Sequence, residues 1–175
     1  AGSDDVITLT SSLTLRDTQN INKSITIDLN GHNILGESIV FNVQNGSLTL
    51  KGEGTVKEIN PYYAPIVIKG STDLSDINYS NVNIESDVFL EGWSGIFIDQ
   101  NENLAYGVNV NIDGSINSVL DVAGDKGFGV YINGNVKNTA TLSSFTAGSV
   151  IQLMASHYNG INANLGNYAS YKFIC

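Results

Sequence analysis

Cysteine is almost missing from this chain: Cys175 stands alone at the last of 175 positions, which excludes an internal disulfide. With only two histidines, His32 and His157, and no second cysteine, a zinc cage is not expected. No apolar run approaches the roughly 18 residues that a membrane-spanning helix needs. Positive charge is equally scarce. Eight Lys and Arg face 17 Asp and Glu, for a net charge of −9. That balance argues against nucleic acid, whose phosphates need clustered cations, and against anionic membrane surfaces. The acidity reads as a solubility device rather than a recognition surface. Proline occurs twice, methionine once and arginine once, as Arg16. The opening Ala1 to Asp5 has the look of a processed or engineered start, so the lack of a leader peptide does not argue for the cytosol.

What the chain has instead is glycine (18) and asparagine (22). Both accept left-handed backbone at bends, so the composition predicts many short strands joined by many turns. The organising phrase is Ile25 to Ile34, I-T-I-D-L-N-G-H-N-I. Ile25, Ile27 and Leu29 alternate with Thr26 and Asp28, the period of a strand with one buried face. Asn30-Gly31 supplies a bend, and apolar spacing resumes at Ile34. Similar phrases return over 47–56, 81–90 and 110–117.

A second strand family covers Ile39 to Val43, Pro65 to Lys69, Gly95 to Asp99, Gly129 to Asn133 and Gly160 to Asn164. Its first apolar positions, Ile39, Ile66, Ile96, Val130 and Ile161, recur about every thirty residues. The first family, taken at Ile27, Leu48, Val82 and Val110, recurs at a similar period. Periods of this length, filled by strands, predict stacked repeats. The expected fold is all-β, a right-handed parallel β-helix (solenoid) of about four to five coils, with each coil's strands parallel to the next.

Two inward columns follow from that reading. One holds Ile39, Ile66, Ile96, Val130 and Ile161; the other holds Phe41, Ile68, Ile98, Ile132 and Ala163. One coil cannot bury its own apolar face, so the ends need caps. The chain is expected to be one domain over 1–175, with N-terminal strands or a cap over 1–24, coils over 25–164 and an open or truncated last coil over 165–175. Arg16 to Lys23 reads as a polar loop, and the last coil is a candidate for self-association. A β-sandwich is the rival fold. It predicts hairpin turns between neighbouring strands, whereas the Asn-Gly pairs at 30–31, 45–46, 133–134 and 159–160 recur at similar places within the repeat, as corners.

I-D-L-N-G-H-N-I, followed by G-S-L-T-L-K-G-E-G-T-V and then G-I-F-I and G-V-Y-I, resembles the right-handed parallel β-helix proteins of the pectin-lyase-like superfamily. More narrowly, the chain is similar to secreted or wall-attached β-helix repeat proteins of gut Firmicutes and Bacteroidetes. The resemblance covers Ile25 to Asn164. It implies coil architecture and a secreted or bacterial cell-surface location. It does not imply one chemistry, since the superfamily holds pectate and pectin lyases, polygalacturonases, adhesins and phage tailspikes.

A lyase of this fold would need Ca²⁺ on several Asp and a basic Arg or Lys on a neighbouring coil. Arg16 lies outside the repeats, and Lys69, one column from Asp99, is the nearest candidate; it reads as a solvated face residue. A hydrolase would need paired Asp and a Gly-His-Gly phrase, of which only Gly31-His32-Asn33 is present. His32 belongs to a recurring corner where other copies carry Glu53, Asp87 and Ser115. No Asp-x-Asp-x-Asp-Gly calcium loop occurs. Neither catalytic residues, metal nor cofactor is therefore expected.

The outward columns are more informative. Val40, Val67, Phe97, Tyr131 and Asn162 are expected in one file, with Asn42, Lys69, Asp99, Asn133 and Asn164 in the next. Phe97 and Tyr131 would be stacked neighbours, bordered by Asp99 and Asn133. Tyr63, Trp93, Phe128 and Tyr158 precede the same strand and read mainly as corner packing; Tyr106 fits either set. Aromatic faces stack on sugar rings while amides and carboxylates bond hydroxyls. The glycan-binding candidates are Trp93, Phe97, Asp99, Tyr131 and Asn133. The expected function is a non-catalytic secreted or cell-surface module that binds a polysaccharide or host-surface glycan, or acts as an adhesin. A polysaccharide lyase or hydrolase, and a structural stalk or phage tail component, are the alternatives.

Overall fold

Alternation of apolar and polar residues turns the chain into short strands, and the bends between them let every third strand pair. The computed structural model describes residues 5–60, 64–70, 79–105, 108–118, 128–136, 140–143, 150–154, 161–164 and 170–174, with side chains for 5–60, 64–70, 79–97 and 108–116. Strands β1 (Asp5–Thr8), β2 (Leu13–Leu15), β3 (Gln19–Ile21), β4 (Ser24–Asp28), β5 (Ile34–Gly36) and β6 (Phe41–Gln44) make two rungs. Rungs three to five hold β7 (Ser47–Lys51), β8 (Gly54–Glu58), β9 (Ile66–Lys69), β10 (Ser80–Ile84), β11 (Val88–Gly92), β12 (Ser94–Ala105), β13 (Val108–Ile112), β14 (Ser115–Ser118) and β15 (Phe128–Val136). Then come β16 (Ala140–Ser143), β17 (Val150–Met154), β18 (Ile161–Asn164) and β19 (Ser170–Ile174).

These strands form three parallel sheets, and no helix occurs among the described residues. The first runs β1-β4-β7-β10-β13-β16-β18, the second β2-β5-β8-β11-β14, and the third β3-β6-β9-β12-β15-β17-β19. From β1 to β15 the chain visits the three sheets in strict rotation, as a β-solenoid requires. Adjacent rungs lie about 4.8 Å apart in the hydrogen-bonding direction. The expected all-β stack of parallel strands is thus present. Seven rungs are traced by the first and third sheets, rather than four or five. The extra ones come from the short N-terminal strands and from segments after residue 136.

The interior is lined by files of apolar side chains, one file per inward register position. In the first sheet Ile25, Leu48, Val82 and Val110 are successive partners, as are Ile27, Leu50, Ile84 and Ile112. Leu48, Leu50, Val82 and Ile112 are fully buried. Ile27 therefore pairs with Leu50, not with Leu48 as the repeat spacing suggested. In the second sheet the file is Leu13, Ile34, Val56, Leu90 and Ile116. This sheet was not expected as a separate family.

The third sheet corrects the register of the sequence reading in two places. Phe41, not Ile39, stands beside Ile66, with Ile96 and Val130 following. Val43 then pairs with Ile68. Ile161 and Ala163 belong to the first sheet, where they pair with Ala140 and Leu142. The next rung's partner of Val130 is Ile151. The reason is that I-V-F-N-V offers two alternating registers, and only one leaves Val40 free to fill the corner beside Gly36. A Cβ on Gly36 would lie 2.6 Å from Val40 Cγ2. Gln19–Ile21, expected within a loop, is a strand because it pairs with Phe41–Val43 and contributes one inward residue, Ile21.

Some of the corners turn on left-handed residues. Asn30 (φ 49°) and Gly31 (φ 79°) turn the chain between β4 and β5, and Asn45 (φ 57°) does so between β6 and β7. Gly31 N–H donates to Glu53 carbonyl in the next rung at 2.8 Å. His32 consequently stands opposite Gly54, one step from the Glu53 position it was expected to share: Thr55 N–H donates to Asn33 Oδ1, and Gly54 lies beside Val88.

Candidate functional site

The third sheet brings most of the residues singled out for glycan contact into adjacent register positions. Burial alternates along β6, with Phe41 and Val43 inside and Asn42 and Gln44 outside. Register then carries the outer file from Asn20 to Asn42, Val67, Phe97, Tyr131 and Gln152. Phe97 is half-buried, and Tyr131 occupies the neighbouring register position on the next rung. Asp99 and Asn133 are partners two residues further along. Side chains are not described for Asp99, Tyr131 and Asn133.

The expected outer file was wrong at one end. Val40 is fully buried at the corner before β6, and its place in the file is taken by Asn42. Val67 keeps its place but is only 3% exposed, so that rung is covered. Asn162 and Asn164 lie in the first sheet and leave this face altogether. Lys69 moves beside Gln44, and one further step of the register sets it next to Asp99.

Trp93 is half-buried at the corner between β11 and β12 rather than on the strand face. Buried Ser94 fixes that corner by donating from Oγ to the Ile96 carbonyl at 2.6 Å. Phe128 opens β15, with only its backbone described. Tyr63, Tyr106 and Tyr158 lie outside the described residues.

Two features of this face were missed from sequence. A depression of about 240 Å³ is lined by Asn20, Ile21, Asn22, Asn42, Gln44 and Asn45. Asn42 Nδ2 donates to Asn20 Oδ1 at 2.9 Å, which orients both amides. Asn42 Oδ1 is buried and accepts no hydrogen bond from the protein. The two-residue slip at Ile39 had hidden this cluster. The second feature is a register jump between β12 and β15: Asp99 pairs with Asn133, but Leu104 pairs with Asn135. Such bulges bend a strand and re-aim the side chains beside them.

Elsewhere, Glu58 is the one strongly perturbed acid among the described residues. It is 2% exposed on an inward position of β8. Burial raises its pKa to about 7, against a smaller lowering from the Asn60 N–H at 2.6 Å from Oε1. Its other oxygen has no protein partner. Among the described residues no cluster of three His, Cys, Asp or Glu is arranged to hold a metal.

The third sheet thus sets an amide-lined depression and, beyond the covered Val67 rung, the neighbouring register positions Phe97 and Tyr131. No family model, curated protein or solved structure matches the chain.

Proposed function

We propose that this chain is a right-handed parallel β-helix of the pectin-lyase-like kind, secreted or displayed on a bacterial surface, that binds glycans without cleaving them. Right-handedness follows from the strong preference of parallel strand crossovers for that hand. The observation that carries the functional reading is the register of one outer file, in which Asn20 and Asn42 of the amide-lined depression stand on one side of the covered Val67 rung and Phe97 and Tyr131 on the other.

A sugar chain on this file would stack rings on the aromatic rungs and bond hydroxyls at the amide rungs. The polar end is pre-ordered by the Asn42 to Asn20 bond, which reduces the entropy lost on binding. An acidic protein meets neutral or host-surface glycans more readily than polyuronides, because like charges repel.

The test is retention on a glycan array or glycan-coated beads, comparing the unaltered chain with Phe97→Ala and Tyr131→Ala. Each substitution is expected to weaken retention about tenfold, near 1.4 kcal/mol. Unchanged retention in both, or no glycan retained by the unaltered chain, overturns the proposal. Release of unsaturated or reducing-end products from the retained glycan would replace it with a lyase or hydrolase.

A further inference from the structure

Strands β1, β2 and β3 stand last in the three sheets, and among the described residues each has a hydrogen-bonded neighbour on one side only. The apolar files of the interior reach the surface at this end. Ile7 heads the file of Ile27, Leu50, Ile84 and Ile112, and it is 47% exposed where Ile27 is 6%. Leu13 and Leu15 begin the inward positions of the second sheet and are half-buried. A hollow of about 240 Å³ lies among these strands, its lining including Ile7, Ile21, Ile25, Ile27 and Phe41. An unpaired strand edge beside exposed apolar side chains is a template for another strand.

Charge bears on what that strand belongs to. Residues 5–23 carry Asp5 and Asp17 against Arg16 and Lys23, which cancel, so the net charge of −9 lies wholly in the rest of the chain. Repulsion between two copies of so acidic a protein is weakest where these neutral ends meet.

The shape of the first rung fixes how two copies would meet. The rung is one turn of a wound ribbon, so its start at Asp5 stands one strand spacing, about 4.8 Å, beyond its partner Ile25. Lys23, at the end of the turn, lies back near the level of Ile25, and its Nζ bonds Asp5 Oδ2 across the step. Two such ends touch all the way round when the protruding start of each meets the receding end of the other. That is a two-fold arrangement with Asp5 against Lys23 of the second copy and the axis at Thr14, midway along the rung. Strands then run antiparallel, β2 against β2 and β1 against β3. Ile7 faces Ile21, Leu13 faces Leu15, Thr10 faces Thr18 and Thr14 faces its own copy. Odd-numbered positions are the inward ones in all three strands, as their partners Ile27, Ile34 and Val43 show, so inward residues meet inward residues throughout. The rung is self-complementary in charge, in step and in alternation.

We propose that the N-terminal end of the stack is a docking surface for a second copy of this chain, paired head to head about Thr14. The third sheet of each copy thereby continues into the first sheet of the other. Residues 5–23 give 19 residues a side, just under the roughly 20 to 30 of a standard interface, so the dimer forms at high concentration and parts on dilution. In the single chain β1 is then an open edge.

The test is sedimentation velocity of the full chain from about 1 µM to about 200 µM. A species of twice the 18.7 kDa chain mass should grow with concentration. The variant I7K, which sets an inward cation on the edge strand, should weaken association at least tenfold. Cross-linking reads the register separately. On a C175S background, T14C should form a disulfide between chains under mild oxidation, because Cα atoms directly opposite across antiparallel strands lie about 4.5–5.5 Å apart, within disulfide reach. T8C, exposed on the same end, should not, since Thr8 faces Asn20 of the second copy. A monomer at every concentration, association unchanged in I7K, T14C that stays unlinked, or T8C that links as readily as T14C would each overturn the proposal.

Discussion

Glu58 stands in register with Gly36 on the inner side of the second sheet, and the next rung places Gly92 beside it. A carboxyl occupies an interior file because the rungs on either side have no side chain there. Its folded pKa of about 7 lies above its ordinary value of 4.5, so the folded chain holds a proton that the unfolded chain releases. The stabilisation is complete below about pH 4.5 and is lost as pH rises through about 7. The difference corresponds to on the order of 3 kcal/mol between mildly acidic and alkaline solution. Urea unfolding at pH 5 and pH 8 should show the chain more stable at pH 5. In Glu58→Gln, which keeps an acceptor for Asn60 N–H, that contrast should shrink to below about 1 kcal/mol. Equal stability of the unaltered chain at both pH values would contradict the buried position of this acid.

Two corner glycines should respond very differently to alanine. At Gly54 (φ 155°) a Cβ would lie 2.2 Å from the His32 carbonyl oxygen and 2.9 Å from Leu29 Cβ. Neither atom can move without shifting a rung, so Gly54→Ala is expected to cost about 3 kcal/mol or more. At Gly31 (φ 79°) nothing lies within 4 Å of the added carbon. There the cost is the left-handed backbone alone, about 1–2 kcal/mol. Denaturation midpoints of the two variants check the order; a Gly54→Ala chain as stable as Gly31→Ala would mean that the second and third rungs are not pressed together there.

Ser80 ties the amide-lined depression to the core. It is fully buried; its Oγ accepts from Asn45 N–H at 2.9 Å and donates to the Lys69 carbonyl at 2.5 Å. Asn45 lines the depression from a left-handed backbone position. Ser80→Ala strands both backbone groups, at about 1–3 kcal/mol. If the depression takes part in glycan retention, the same variant should also reduce retention on the beads used for Phe97→Ala. A loss of stability with full retention would separate the depression from the binding file.

How legible this was in the sequence depended on how many apolar residues each strand spends on the interior. Strands β4, β7, β10 and β13 each send at least two inward, so alternation declared them. The second sheet contributes a single deep apolar residue on most rungs, such as Ile34, Val56 or Ile116, and one residue has no period. That sheet was invisible as a family. Register at β6 was ambiguous because Ile39, Val40 and Phe41 are all apolar; only packing against Gly36 decides among them. Phe97 and Tyr131 were legible because their flanking phrases repeat, whereas Asn42 and Gln44 were displaced by the slip at β6. The glycine neighbours of Glu58 are distant in sequence, and no local pattern announces a buried acid.

Stacked rungs should lose stability locally. Ile96 is fully buried between its partners Ile66 and Val130, while Val6 on the edge strand β1 is 59% exposed. Ile96→Ala removes contacts to the rungs on both sides and is expected to cost about 2–4 kcal/mol. Val6→Ala should stay within about 0.5 kcal/mol, because the side chain is already in water. Stability held by nearest-neighbour interfaces also predicts where the loss is felt. Hydrogen exchange should find the amides of β1 opening first in the unaltered chain and those of β7 and β10 last. In Ile96→Ala, protection of β9 and β12 should fall tenfold or more, with β4 and β5 changing less. An equal loss of protection over β4, β5, β9 and β12 would mean that the described rungs unfold as one unit, and the additive picture of the stack would have to be given up.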